Sequence, residues 1–167
     1  MPRTLAPSAP ADLSPPIEAE FIALPRDGHL LGLYRYWEGL RRGRTMPPRG
    51  DVDPTEIPQI LPYVFLYAVA PSAGTFTIRL VGEEVLRCLG GNPVGQPAGS
   101  AMTPRGAETL LRILTAVAAE RTPKFRTGKA YWSPYQNYRR FEGCFLPLSS
   151  DDDTVDFILG GVKFLLD

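Results

Sequence analysis

Three runs near the end of the chain decide the fold: KFRTGKAYW (124–132), YRRFEGCFLPLS (138–149) and TVDFILGGVKFL (154–165). Each is rich in aromatic and β-branched residues, and the gaps between them, 133–137 and 150–153, carry turn-forming Ser, Pro, Asn and Asp. Strands joined by connections this short pair with their neighbours in antiparallel fashion. The runs therefore predict a β-meander closing the chain.

Working back, Thr103 followed by Pro104 is a helix start, because the hydroxyl caps free backbone N–H groups and proline is pre-set for the first helical position. Leu110, Leu111, Leu114, Val117 and Ala118 then form one apolar face, and Arg121 and Pro123 close it. Before that, 63–70 and 75–81 are β-rich runs separated by Pro71, Ser72, Ala73 and Gly74, which predicts a hairpin. A turn or two of helix is expected over 83–89, stopped by Gly90 and Gly91, with loop from 92 to 100. Asp53, Pro54 and Glu56 carry the signature of a capping box for a short helix ending near Pro62. Leu30, Leu33, Tyr34, Trp37 and Leu40 recur at helical spacing, so an amphipathic helix of about 14 residues is predicted near the start. Gly43 ends it, and Arg41, Arg42 and Arg44 suit the negative end of its dipole. Residues 17–27 give no clear signal. The opening stretch 1–16 is rich in Pro, Ala and Ser and is read as a disordered tail. The division is then tail 1–16, N-terminal helical segment 17–62 and core 63–167. Helix, hairpin, helices and three consecutive strands predict an α+β fold with an antiparallel sheet.

Composition narrows the class. The 167 residues are 44% hydrophobic and 22% charged with a formal net charge of +0, which fits a globular chain with no overall field for nucleic acid or anionic lipid. The basic run Arg41, Arg42, Arg44 is a short helix end, so nucleic-acid binding is not expected. Neither a signal-peptide core nor a run of about 20 apolar residues occurs, and a cytoplasmic location away from membranes is expected. Cys88 and Cys144 lack metal-ligand spacing and read as buried free thiols.

The order of these elements resembles that of a PAS domain. The wording is similar to a PAS subfamily common in alphaproteobacteria, usually found as a short stand-alone protein. The likeness covers about 31–164 and rests on many fragments in order. They are Tyr36-Trp37 with Leu40 and 43–47, Asp53-Pro54, Ile57-Pro58, Leu61-Pro62, Arg79-Leu80-Val81-Gly82, Val94-Gly95, 138–148 with Pro147, and Gly160-Gly161. It implies a PAS-like five-stranded antiparallel sheet with short helices covering one face around a ligand cleft. It also places the N-terminal amphipathic helix on the other face or against a second subunit. It implies no reaction, since a fold hosts chemistry only through its sites.

Catalytic constellations are weak. His29, the lone histidine, stands outside the resembling region, away from any nucleophile. That also disfavours haem through a histidine, although Cys or Tyr ligation stays open. The reactive cysteine motif of flavin-binding LOV domains is absent, because Cys88 sits in Leu-Arg-Cys-Leu-Gly-Gly. No phosphate-binding loop is present, and no cofactor or metal is expected. The richest polar cluster is Tyr131, Trp132, Tyr138, Arg139, Arg140 and Glu142. Strand alternation sends Tyr138, Arg140 and Glu142 to one face and Arg139 and Phe141 to the other. An arginine on the cleft face would clamp a carboxylate or phosphate, with Tyr or Trp stacking nearby. The commoner alternative is an Arg140–Glu142 ion pair on a solvated sheet face. Arg79, read as facing away from Ile78 and Leu80, would pair with Glu142 or a ligand.

The candidate ligand-binding set is thus Arg79, Tyr131, Trp132, Arg140 and Glu142, and Tyr34, Trp37 and Leu40 are the candidate dimer anchor. The expectation is a non-catalytic sensory domain that binds a small molecule, forms a homodimer and signals through a separate partner protein. A ligand-free protein-interaction module with a filled core is the alternative.

Overall fold

The computed structural model describes residues 19–130 and 140–165. Six strands form one antiparallel sheet in the order β1-β4-β5-β6-β2-β3, with β1 Ala19–Ile22, β2 Val64–Ala70, β3 Thr75–Val81, β4 Lys124–Lys129, β5 Arg140–Leu148 and β6 Phe157–Leu165. The expected meander is the centre of this sheet, with Cys144 opposite both Phe125 and Gly161. The predicted hairpin is β2–β3. The five expected strands are β2 to β6, and β1 is a sixth added at the edge beside β4. β1 is four residues long and too short to show alternation, and it is held by pairing with β4, Phe21 opposite Arg126.

Helix α1, Gly28–Arg41, starts where the Asp27 side chain accepts from the N–H groups of His29 and Leu30. It ends as Arg42 and Gly43 turn left-handed at φ 51° and 84°. The Arg44 guanidinium donates to the carbonyls of Leu40 and Arg41 in the last turn, as the basic run at this end predicts. The buried face Leu30, Leu33, Trp37 and Leu40 packs on β5 and β6. Trp37 Nε1 donates to the Pro147 carbonyl at 2.8 Å. Pairing of β4 with β5 stops at Phe145, so the proline breaks no ladder there and its carbonyl is left for the indole.

Three 3₁₀ turns follow, Arg49–Asp51, Pro54–Glu56 and Leu61–Tyr63. Asp53 caps the second through the Thr55 N–H, but the capping box does not close. The Tyr36 hydroxyl takes the Asp53 N–H and donates to Glu56 instead. On the opposite sheet face lie α2, Glu83–Leu86, and α3, Pro104–Glu120, the latter capped by Thr103 as expected. Both faces of the central strands are therefore covered, and β5 is buried from Phe141 to Leu148. Among the described residues no helix is long and apolar enough to cross a membrane. The tail 1–16, Tyr131, Trp132, Tyr138 and Arg139 lie outside the described residues.

Candidate functional site

Between the sheet and the α2–α3 side lies a cavity of about 60 Å³, room for about four to six water-sized groups. Its floor comes from five strands, Phe65 and Tyr67 on β2, Ile78 on β3, Arg126 on β4, Phe141, Gly143 and Phe145 on β5, and Val162 on β6. Val85, Leu89, Met102 and Leu110 form the roof. Register explains the hollow. Arg126 stands opposite Gly143, whose missing side chain leaves space beneath the guanidinium. Gly160 stands opposite both Phe65 and Phe145. A Cβ on Gly160 would overlap the Phe65 ring and lie 2.6 Å from the Cys144 carbonyl, so glycine there lets the two phenyl rings, 5.6 Å apart, lie across the sheet.

The lining is apolar except for Tyr67 and Arg126. Arg126 is 7% exposed, and its Nε makes no hydrogen bond. Its guanidinium carbon lies 5.0 Å from the centre of the Phe141 ring. Burial lowers its pKa to about 10, partly offset by Tyr67, which leaves it cationic at neutral pH. Burial raises the pKa of the Tyr67 phenol, and Arg126 opposes that shift. This is a small apolar chamber with one buried cation in its wall.

Strands β2 to β5, most of β6, the covering helices and the cleft fall within residues 28–163, which match the family model for the PAS domain. The chain belongs to the PAS domain family. Among solved structures, the PAS domain from Bordetella pertussis BvgS aligns with a TM-score of 0.53 at 17% identity, covering 68% of this chain and 83% of that one. At that identity the likeness is one of fold. No curated protein matches the chain. PAS domains are in general sensory and signalling modules.

Within this PAS domain the described members of the sequence-predicted site, Arg79, Arg140 and Glu142, do not converge. Arg79 is exposed because β3 bulges. Leu66 pairs with Leu80 and Tyr67 with Ile78, so Arg79 is the extra residue, and Ile78 and Leu80 fall on opposite faces rather than sharing one. Arg140 is exposed at the start of β5. Glu142 is 2% exposed and lies on the face away from the cleft, where it pairs with neither arginine. Its Oε1 accepts from the backbone N–H groups of Arg26 and Asp27 at 2.9 and 2.8 Å. Lys163, opposite Glu142 in register, lies 3.4 Å from Asp27 and 2.7 Å from His29 Nδ1, with its ammonium over the Tyr63 ring. This cluster fixes the start of α1 on the sheet.

The anticipated dimer anchor is also turned inward. Trp37 is 1% and Leu40 9% exposed. Tyr34 is half-buried, edge-on to Phe125 at 5.0 Å, and its hydroxyl donates to Glu38. The helix spends its apolar stripe on its own sheet. Arg126, which sequence reasoning passed over, is the charged group in the cleft lining. Cys88 and Cys144 are buried free thiols, and burial pushes the Cys144 thiol up to about 12. Among the described residues no cluster of metal-ligating side chains occurs.

Proposed function

We propose that this PAS domain is a non-catalytic sensory module that binds a small molecule in the cleft and passes its state to a separate partner protein by contact. The observation that carries the reading is the chamber itself, apolar walls around Tyr67 and Arg126. Ligand sites commonly combine such walls with a few placed polar groups. The titratable groups in the lining are a phenol and a guanidinium, both remote from the pKa range in which acid–base catalysis near neutral pH operates. That favours binding over reaction.

For contact with a partner or a second copy, the surface we favour is the sheet edge at β1. Phe21 is 60% exposed, and Leu24, just beyond the strand, is 49% exposed. A dimer mass in light scattering at tens of micromolar protein, reduced by Phe21→Glu, supports self-association there; a monomer mass leaves the edge to a different protein.

The primary test is purification from a bacterial host, with mass spectrometry of the native complex and of small molecules released on denaturation. A stoichiometric compound, lost when Gly143→Leu fills the chamber, is the expected outcome. A domain that carries nothing and gains no thermal stability from any small molecule offered would move the reading to a ligand-free interaction module.

A further inference from the structure

We propose that the cleft takes a compact monocarboxylate with an apolar body, and that Arg126 holds the carboxylate. The assignment rests on reading the cleft as a ligand site and adds the chemical class of the ligand.

A buried guanidinium that serves only the fold is normally saturated, because an unpaired buried charge costs several kcal/mol or more. Arg126 departs from that rule. It is 7% exposed, its Nε has no hydrogen-bond partner, and no carboxylate among the described residues forms an ion pair with it. Glu142, close in the register, is on the other face and committed to the backbone of residues 26 and 27. The segment joining β4 to β5, AYWSPYQNYR (130–139), contains no Asp or Glu. The face of the Phe141 ring gives the cation partial compensation and leaves the in-plane N–H groups without a matching acceptor.

The missing partner is an anion, and the chamber sets its character. One positive charge with no second cation in the lining matches one negative charge. A phosphate carrying nearly two charges and several acceptor oxygens would leave most of them against Phe65, Ile78, Phe145 and Leu110. A carboxylate presents two oxygens in the spacing a guanidinium matches. The rest of the ligand meets aromatic rings and aliphatic chains, so it is apolar. With room for about four to six water-sized groups, it is of the size of a short-chain or branched acid, a single ring being the upper limit.

The test compares acids with their amides on the full chain. Butyrate, isovalerate and benzoate are titrated by calorimetry and thermal shift beside butyramide, isovaleramide and benzamide, using the wild type, Arg126→Met and Arg126→Gln. The expected result is stabilisation of the wild type by at least one acid and not by its amide. That affinity should fall at least about tenfold in both variants, as loss of a charged hydrogen bond requires. Acids that bind the variants as tightly as the wild type, amides that match acids, or a neutral compound released from the purified protein would overturn the carboxylate class and leave the ligand site standing. No binding by either set, with nothing released from the purified protein, would remove the ligand site and this proposal together.

Discussion

Asp27 and Glu142, 115 positions apart, are joined by a 2.8 Å hydrogen bond in which the Asp27 backbone N–H donates to the Glu142 carboxylate. The same oxygen takes the Arg26 N–H, and the Asp27 side chain caps α1. Helix α1 therefore begins where a buried acid on β5 tells it to. Replacing Glu142 by Ala strands two partly buried N–H donors, with an expected cost of about 3 kcal/mol in urea unfolding. Glu142→Gln, which keeps one acceptor oxygen, should cost roughly half as much. Hydrogen exchange should rise first at residues 26–30 in both.

Gly160→Ala tests the close approach of Phe65 to β6. The added methyl overlaps the Phe65 ring and crowds the Cys144 carbonyl, so a loss of about 2–3 kcal/mol is expected. Adding Phe65→Leu should recover part of it. Equal stability of Gly160→Ala and wild type would mean that the ring does not lie there.

Arg126→Met should stabilise the ligand-free domain. The folded pKa, about 10, is below the ordinary 12.5, so the unfolded chain holds the proton more tightly. The resulting penalty is on the order of 1–3 kcal/mol. It is present at every pH below about 10 and fades as the pH rises from 10 towards 12.5. The Met variant should therefore exceed wild type in denaturant midpoint at pH 7, with the gap narrowing above pH 10. A less stable Met variant would show that the cation is compensated in the empty protein.

Both thiols should resist alkylation at pH 8 in the native state and react on unfolding. Cys144 is fully buried with its thiol pushed up to about 12, and Cys88 is 8% exposed. Fast labelling of Cys144 would contradict its place between α1 and the sheet.

The meander, the hairpin and α3 were legible because each carries its own local signal, alternation between turn residues or a Thr-Pro cap before a helical stripe. β1 was not, since Ala19–Ile22 is defined by a partner strand more than a hundred positions away. The cleft was misassigned for two physical reasons. A bulge at Arg79 breaks the two-residue period on which face assignment depends. In KFRTGK, moreover, Lys124, Arg126 and Gly128 look like a solvated face, whereas helices cover both sides of the sheet. A central strand covered on both faces should have marked its mid-strand arginine as buried. The stripe on α1 is legible as apolar, but its period fits a sheet face and a second chain equally, because periodicity says that a face is covered and not by what.

The strand order has a further consequence for biosynthesis. β1 waits for β4, α1 packs on β5 and β6, and β2, which pairs locally with β3, gains its second neighbour only in β6, so the first half of the polypeptide completes its contacts only when the later strands have been made. Translation delivers the early segments first, so β1 and α1 leave the ribosome before the strands they dock on exist. A chain stopped before residue 157 would lose β6, the strand on which β2 and α1 both rely, and would leave those two segments open to proteases.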